Sequence, residues 1–213
     1  MTSSMTAIAV VLAAYLIGSL SGSLLLGKLR GVDIRKQGSG NAGSTNAFRT
    51  QGAKFALGVL LIDVGKGVLA TWMGFAFSPP ALRETLPYAT AFAAVVGHVW
   101  PVWHGFRGGK GAATAMGAVA MTWPVAIPGL FALWAVGLIL TGYVGLCTIL
   151  AALSFAAAAL IVGGDDARSV FAVAVAALIV FSHRANLVRL RAGTESRFEK
   201  AMLFRRWMRR RDA

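Results

Sequence analysis

The chain has 213 residues, of which 57% are hydrophobic and only 14% are charged, and its formal net charge is +13. Soluble domains usually carry about 25% charged residues, so this composition excludes an ordinary soluble protein and indicates a protein of the lipid bilayer. The single cysteine, Cys147, excludes a disulfide framework within the chain.

Apolar segments long enough to cross a membrane follow one another along the chain, since about 20 apolar residues span the hydrocarbon layer. Seven spans are predicted, at residues 6–26, 55–77, 86–103, 112–123, 125–140, 143–162 and 170–181. Pro124 and Pro128 divide the long run 112–140 into a helical hairpin, and the count falls to five if this hairpin does not span. The predicted fold class is an all-α integral membrane protein, with one transmembrane domain over residues 1–213.

Basic residues are concentrated on one side of these predicted spans. The loops that follow 6–26 and 86–103, together with the chain after 170–181, hold eighteen of the 21 Lys and Arg residues. The positive-inside rule therefore places the N-terminus outside and the C-terminus in the cytoplasm. The basic tail, 199–213, is typical of a segment that contacts anionic lipid, and no zinc, stacking or helix-turn-helix pattern favours a nucleic-acid partner.

The first glycine-rich loop, GSGNAGSTNAFR at residues 38–49, fits the pattern G-x-G-x-x-G, and Asp63 follows its last glycine by 20 residues. A dinucleotide site is excluded because a membrane helix precedes the loop and Asp63 lies within the next span. Glycine backbones still admit an anion closely, and an arginine can clamp a phosphate with two bonds. The loop therefore predicts a phosphate site rather than a flexible polar turn, with Gly38, Gly40 and Gly43 as its glycines, Ser39, Asn41, Thr45 and Asn46 as donors and Arg49 as the clamp.

A second glycine cluster, GHVWPVWHGFRGGKGAAT, occupies residues 97–114. It fails as a Walker A motif because Gly111 follows Lys110 where Ser or Thr is needed, and His104 stands where the first glycine is needed. The turn nevertheless leads into a predicted helix at Ala112, and helix N-termini attract anions. Lys110 and Arg107 strengthen this prediction, and the alternative is an interfacial loop in which His98 is structural.

The third polar cluster, SHRANLVRLRAGTESRF, occupies residues 182–198 on the same side. His183, Asn186 and Arg189 are spaced three apart, so they share one face of a helix, and Glu195 is one of few acids on this side. The alternative is a solvated amphipathic end of the last span. Within the second span, Asp63 and Lys66 are interpreted as a structural ion pair, with Lys66 extending toward the inner-side site.

Taken together, the stretches 38–49, 97–114 and 183–196 resemble the three signature motifs of a bacterial family. This is the PlsY family of membrane glycerol-3-phosphate acyltransferases, which use acyl phosphate. The resemblance covers nearly the whole chain, because length, topology and basic tail agree as well. One departure is Ala112, where the family commonly has a bulkier apolar residue.

The resemblance implies transfer of a fatty acyl group from acyl phosphate to the 1-hydroxyl of glycerol 3-phosphate, the first acylation of phospholipid synthesis. The products are lysophosphatidic acid and phosphate. It further implies a monomer in the bacterial inner membrane, with its active site on the cytoplasmic side and with neither cofactor nor metal. The implied catalytic residues are Ser39, Arg49, Lys110, His183 and Asn186. The implied phosphate-binding residues are Gly38, Gly40, Asn41, Gly43, Thr45, Asn46, Arg107, Gly108, Gly109, Gly111, Thr114 and Arg189, with Glu195 and His98 as structural support.

Acyl phosphate is a mixed anhydride with a good leaving group, so the protein mainly has to position the substrates and neutralise charge. The proton of the attacking hydroxyl can pass to the bound phosphate, with His183 as the alternative base. An acyl-enzyme on Ser39 also stays open at this point.

Other functional classes fit the sequence less well. A transporter of a phosphorylated metabolite is the main alternative, because Asp63 and Lys66 are ionisable residues within a predicted span; no inverted repeat supports it. A metal-dependent phosphatidyltransferase needs an acidic cluster, and the adjacent acids, Asp165 and Asp166, fall on the outer side. Acyltransferases with His and Asp five residues apart are excluded, because no histidine has an aspartate at that spacing.

Overall fold

The computed structural model describes residues 3–199, so the predicted basic tail lies outside the described residues except for Glu199. This part of the chain forms ten α-helices and no β-strand, which confirms the all-α fold class. The helices are α1 (Ser3–Gly18), α2 (Gly22–Leu29), α3 (Ser44–Gln51), α4 (Ala53–Ala76), α5 (Leu86–Val99), α6 (Ala112–Thr122), α7 (Ala126–Thr141), α8 (Val144–Val162), α9 (Asp166–Ser182) and α10 (Arg184–Arg191).

Helix α4 lies at the centre of the first half of the fold and contacts α1, α2, α3, α5 and α6. Its approach to α6 depends on glycines, as is common for helices packed in membranes. A Cβ atom at Gly67 would lie 2.1 Å from the carbonyl oxygen of Thr114, and one at Gly117 would lie 2.1 Å from that of Val64. The second glycine cluster, at the N-terminus of α6, is thereby held against the middle of α4.

The second half of the fold consists of α7, α8 and α9, and it joins the first half through contacts of α5 with α9. Where α5, α6, α8 and α9 meet, small residues surround larger ones, so that Val95, Phe155, Phe171 and Ile179 are almost fully buried in one cluster. Aromatic pairs extend this cluster, with the rings of Phe155 and Phe171 in an edge-to-face arrangement. This core fixes the ends of α6 and α9, where the second and third polar clusters lie.

Three of the predicted spans, the first, the third and the last, differ clearly from the helices in the structure. The segment 6–26 is divided between α1 and α2, which meet at a bend of 48°. Helix α9 is longer than the predicted span 170–181, because the Asp165 side chain accepts a hydrogen bond from the Arg168 amide and the helix starts at Asp166. By length and composition, α4 and α8 could each cross a membrane, as could each of the bent pairs α1–α2 and α9–α10.

The predicted hairpin corresponds closely to α6 and α7. Helix α6 ends just before Trp123, and α7 begins just after Val125. Both helices are apolar and short, with 11 and 16 residues. The number of membrane crossings therefore stays a prediction.

Helix α5 ends at Val99, four residues before the predicted limit, because Pro101 follows and a residue before proline disfavours helical geometry.

Candidate active site

The three polar clusters meet around one cavity of about 410 Å³. The first loop and α3 form one wall, the N-terminus of α6 another, and α10 with the following segment a third. Most residues predicted for the site line this cavity: Gly38, Ser39, Asn41, Gly43, Thr45, Asn46, Arg49, His98, Lys110, Gly111, His183, Asn186, Arg189 and Glu195.

Asn46 holds the first loop in shape. Its side-chain nitrogen lies 3.0 to 3.1 Å from the carbonyl oxygens of Ile34, Gln37 and Asn41, and its side-chain oxygen accepts from the Ser39 amide at 3.0 Å. Asn46 is buried, and its amide is used by the loop itself. The structure thus gives Asn46 an organising contact with the main chain, where the sequence predicted a phosphate donor.

The N-termini of two helices, α3 and α6, open into the cavity. Gly43 precedes α3 and Gly111 precedes α6, and neither helix start has a side-chain cap or an acidic residue in its first turn. The first amide groups of a helix have no partner within the helix, so uncapped starts present N–H donors and a partial positive charge. Ser44 and Ala112, the first residues of these helices, line the cavity. This arrangement favours binding of anions.

Four side chains form a hydrogen-bonded chain across the cavity. The Lys110 ammonium donates to the side-chain oxygen of Asn186, and the Asn186 nitrogen donates to Glu195. Arg189 Nε donates to the other oxygen of Glu195 at 2.7 Å. Glu195 thereby orients two residues of α10, and Asn186 in turn orients Lys110.

Basic side chains outnumber acidic ones in the lining of the cavity. Burial, together with the positive charge of Arg189, lowers the pKa of Lys110 to about 8, so this side chain is still charged at pH 7. Arg49 is exposed at the rim, where its guanidinium lies 5.8 Å from the centre of the Phe198 ring. Lys110, Arg49 and Arg189 outnumber the acids Asp63 and Glu195, which are both engaged by basic partners.

His183 is held as a neutral imidazole. Its Nδ1 lies 2.8 Å from the carbonyl oxygen of Ile179, so Nδ1 carries the proton and Nε2 is left as an acceptor. Burial and the nearby charge of Lys110 lower its pKa to about 4. A histidine in this state can accept a hydrogen bond from a hydroxyl, but it is a weak base at pH 7.

Five residues predicted to bind phosphate do not line the cavity: Gly40, Arg107, Gly108, Gly109 and Thr114. Gly108 and Gly109 pack against His98, where a Cβ atom would lie 2.0 Å from its carbonyl oxygen and 2.1 Å from its Nε2 atom. The side chain of Arg107 is exposed, and that of Thr114 is fully buried. Packing therefore accounts for both glycines without a ligand.

Several cavity residues were missed from the sequence: Ser44, Ala113, Gly145, Thr148 and Ser196. Gly145 and Thr148 lie on α8, and a Cβ atom at Gly145 would lie 3.0 Å from the side-chain nitrogen of Asn186. A small and a polar residue three apart in an apolar helix share one face, and this was the available signal. Within residues 3–199, no three His, Cys, Asp or Glu side chains come together in a way that could hold a metal ion.

A second cavity, of about 320 Å³, adjoins the first and is largely apolar. The two cavities share Ser44, Thr45, Ala112, Ala113, Val144 and Thr148. Beyond these residues the lining comes mainly from α6, α7 and α8 and includes Met116, Leu130, Phe131, Trp134 and Ala152. A polar cavity that continues into an apolar groove suits an amphiphilic molecule with an anionic head and an aliphatic chain.

Comparison with known proteins agrees with this geometry. The model of the glycerol-3-phosphate acyltransferase family matches residues 8–193. Curated glycerol-3-phosphate acyltransferases from Desulforudis audaxviator and a Synechococcus species are 41% identical over 198 residues and 39% identical over 185 residues. These alignments cover 91% and 86% of this chain, and 98% and 90% of the respective relatives.

Two crystal structures of PlsY, described as an integral membrane glycerol 3-phosphate acyltransferase, have similar folds. The glycerol 3-phosphate form gives a TM-score of 0.84 at 35% identity, covering 90% of this chain and 95% of that one. The lysophosphatidic acid form gives 0.84 at 33% identity, covering 92% and 98%. These matches identify an enzyme rather than the transporter considered as the alternative. The chain belongs to the PlsY family of integral membrane glycerol-3-phosphate acyltransferases.

Proposed function

We propose that this enzyme transfers a fatty acyl group from acyl phosphate to the 1-hydroxyl of glycerol 3-phosphate, giving lysophosphatidic acid and inorganic phosphate. The observation that carries this proposal is the cationic cavity that receives two uncapped helix N-termini and continues into an apolar groove. Two phosphates and one aliphatic chain are the groups that such a site can bind together.

The two phosphates can occupy separate parts of the cavity. At the start of α3, the first-turn amides and Arg49 form one set of donors, and at the start of α6 the first-turn amides and Lys110 form another. Charged donors and helix N-termini both stabilise a bound phosphate. Arg189, held by Glu195, adds a third cation beside these sites.

The acyl chain of the donor fits the apolar groove. The shared residues Ala112, Ala113 and Val144 lie at the junction of the two cavities, so an acyl phosphate bound there has its carbonyl carbon at the boundary between polar and apolar surfaces. The chain then extends between α6, α7 and α8. Burial of each methylene contributes about 0.8 kcal/mol, which favours a long-chain donor over a short one.

The reaction itself is a direct displacement at the carbonyl carbon. The 1-hydroxyl oxygen of glycerol 3-phosphate forms the new ester bond, and the bond between the carbonyl carbon and the phosphate oxygen breaks. The leaving phosphate takes the hydroxyl proton, because His183 has a pKa of about 4 whereas the second pKa of a phosphate group is about 6. Lys110 and Arg49 neutralise the charge that develops on the phosphate.

The remaining side chains bind and orient the substrates. Ser39 and Thr45 provide hydroxyl donors at the first loop, and the Nε2 atom of His183 accepts a hydrogen bond from a glycerol hydroxyl. Asn186 and Glu195 hold Lys110 and Arg189 in place. We assign Ser39 to phosphate binding rather than to an acyl-enzyme.

We further propose that the enzyme acts as a monomer in the bacterial inner membrane with its active site on the cytoplasmic side. The support is the distribution of charge: the segments that contain the three polar clusters, residues 27–54, 104–111 and 182–199, carry twelve of the fifteen Lys and Arg residues within residues 3–199. Arg83 precedes α5 and Arg168 lies in the first turn of α9, at the ends of these helices that point away from the cavity, and so few basic residues there are what the positive-inside rule predicts for the outer face. Seven crossings, with the N-terminus outside, agree with this placement.

A donor comparison tests the proposed function. Purified protein in lipid mesophase receives glycerol 3-phosphate with either palmitoyl phosphate or palmitoyl coenzyme A, and lysophosphatidic acid and released phosphate are both measured. We expect product from the acyl phosphate alone and strong loss in Arg49→Ala, whereas the control Arg83→Ala, an exposed arginine away from the cavity, retains activity. Product from the thioester alone would contradict the proposed donor.

A further inference from the structure

The first apolar segment is broken within the protein interior. Helix α1 ends at Gly18 and α2 begins at Gly22, with a bend of 48° between them. Ser19 and Ser21 in the break are fully buried. A break of this kind leaves amide and carbonyl groups without helical partners, and such groups need other partners when they are shielded from water.

Lys66 of α4 supplies a partner for one side of the break. Its ammonium donates to the carbonyl oxygen of Leu20 at 2.8 Å, to Asp63 Oδ1 at 3.0 Å and to His98 Nδ1 at 2.7 Å. The three N–H groups of the ammonium thus have three acceptors. This arrangement makes His98 Nδ1 an acceptor and places the imidazole proton on Nε2.

Asp63, one turn earlier on α4, supplies a partner for the other side. Its Oδ1 atom accepts from the Gly22 amide at 3.1 Å as well as from Lys66. Asp63 and Lys66 are almost completely buried, so each also offsets the charge of the other. The pair therefore does more than balance its own charges: it binds the end of α1 and the start of α2.

Asp63, Lys66 and His98 also connect the two glycine-rich loops. On one side, Ser23 of α2 donates to the carbonyl oxygen of Ala42 in the first loop at 3.0 Å. On the other side, the Gly109 amide donates to the carbonyl oxygen of His98 at 3.1 Å, and Gly109 packs against the His98 ring. Lys110 follows directly in the chain.

We propose that Asp63, Lys66 and His98 form a positioning unit that sets the distance between the two phosphate-binding loops. The unit fixes α2, and through it the first loop, relative to the turn that carries Lys110. This inference rests on the proposed function, since it assumes that both loops bind substrate phosphates in one reaction. Asp63 and His98 also line the cavity, so a shift of the unit is transmitted directly to the site.

Two double variants separate this role from mere charge compensation. Asp63→Leu/Lys66→Met removes both charges and both contacts to the break. Asp63→Asn/Lys66→Gln also removes both charges but keeps an acceptor for the Gly22 amide and a donor for the Leu20 carbonyl. Each protein is assayed for kcat and KM, and its thermal unfolding midpoint in detergent is measured.

We expect kcat of the Leu/Met variant to fall by roughly a hundredfold, because a displacement of about 1 Å in a reacting group has an effect of this size. The Asn/Gln variant should retain a kcat at least about tenfold higher than that of the Leu/Met variant, at similar thermal stability. The matched control is Tyr88→Phe. Tyr88 lies on α5, as His98 does, and the substitution removes its hydrogen bond to Asp165. We expect kcat of this variant to be unchanged.

Wild-type kcat in the folded Leu/Met variant would overturn the proposal, since Asp63 and Lys66 would then only compensate each other's buried charge. Equal losses in both variants would also overturn it, because the charges rather than the contacts would be needed. If the Leu/Met protein does not fold, a hundredfold loss in a folded Asn/Gln variant still overturns the proposal. The wild-type rate is first measured with both donors, so failure of the proposed donor is recognised separately and the variants are compared with whichever donor reacts.

Discussion

Lys110 donates a hydrogen bond to the side-chain oxygen of Asn186 and so joins the second glycine loop to α10 across the cavity. The two residues are 76 positions apart in the chain. Because Asn186 is in turn held by Glu195, the ammonium has a defined position before any substrate binds. A cation held in advance at a developing negative charge needs little reorganisation during the reaction.

The charge state of Lys110 predicts how activity depends on pH. Its pKa is about 8, lowered chiefly by burial, so the ammonium is protonated below pH 8 and loses its charge above it. We expect kcat/KM, which reports the free enzyme, to fall as the pH rises through 8. The fall in kcat should begin at higher pH, because a bound phosphate favours the charged form.

Substitution at this position tests the assignment. Lys110→Arg should remove the fall near pH 8, since arginine keeps its charge beyond pH 12, and Lys110→Met should lose roughly a hundredfold in kcat. Lys54→Met, at an exposed lysine outside the cavity, is the control and should be unaffected. Persistence of the fall near pH 8 in Lys110→Arg would assign it to another group.

His183 should not control the acidic side of the same profile. Its pKa is about 4, lowered by burial and by Lys110, so it stays neutral from pH 6 upward. We expect a decline in activity toward low pH from protonation of the substrate phosphates, whose second pKa is about 6. In His183→Gln the rate should be lower but the midpoint of this decline unchanged, as measured by initial rates between pH 5 and 8.

If the decline instead disappears or moves by more than one pH unit in His183→Gln, then His183 is the base and the phosphate is not. The same protein should bind glycerol 3-phosphate more weakly, since the Nε2 acceptor is replaced by a shorter amide.

Gly145 on α8 predicts a steric requirement beside the hydrogen-bonded pair Lys110 and Asn186. A Cβ atom there would lie 3.0 Å from the side-chain nitrogen of Asn186, so Gly145→Ala should displace Asn186 and weaken its hold on Lys110. We expect a loss of about tenfold or more in kcat, since small displacements of reacting groups are costly. Gly129→Ala on α7 has open space around the new methyl group and should keep full activity. Equal activity in both variants would show that Asn186 tolerates the shift.

The apolar groove predicts selectivity for chain length. Ala152 lines the groove on α8, whereas Ala157 on the same helix is exposed. Ala152→Phe should lower kcat/KM for palmitoyl phosphate by roughly tenfold or more, because about two to three methylenes at 0.8 kcal/mol each lose their place. Activity with octanoyl phosphate should change much less, and Ala157→Phe should affect neither donor. An equal loss for both donors in Ala152→Phe would indicate that the chain lies elsewhere.

The sequence predicted the candidate site more completely than the helices around it. In a chain with few charged residues, clusters such as 38–49 and 183–196 stand out, and their location between apolar segments predicts that they meet at one membrane face. The structure brings most of these residues around one cavity. Spacing on a helix also predicted that His183, Asn186 and Arg189 act together, and all three line the cavity.

Features that depend on specific contacts in the folded chain were not predictable from the sequence. The apolar run 6–26 has no charge or proline to mark its division, and the break is satisfied by Asp63 and Lys66 some forty residues later. Asn46 was predicted as a phosphate donor because its chemistry permits it, whereas the folded loop uses its amide for three carbonyl groups. Gly109 was predicted to bind phosphate because it lies in a glycine-rich motif, whereas in the structure it packs against the His98 ring.

Transfer of the acyl group to the 1-hydroxyl is tested most directly by isotope labelling. Glycerol 3-phosphate carrying oxygen-18 in its 1-hydroxyl is converted with unlabelled palmitoyl phosphate by the wild-type enzyme, and both products are analysed by mass spectrometry. Attack at the carbonyl carbon predicts that the label stays in the ester of lysophosphatidic acid and that one unlabelled phosphate is released for each ester formed. Oxygen-18 in the released phosphate, or phosphate released without lysophosphatidic acid, would contradict the proposed reaction.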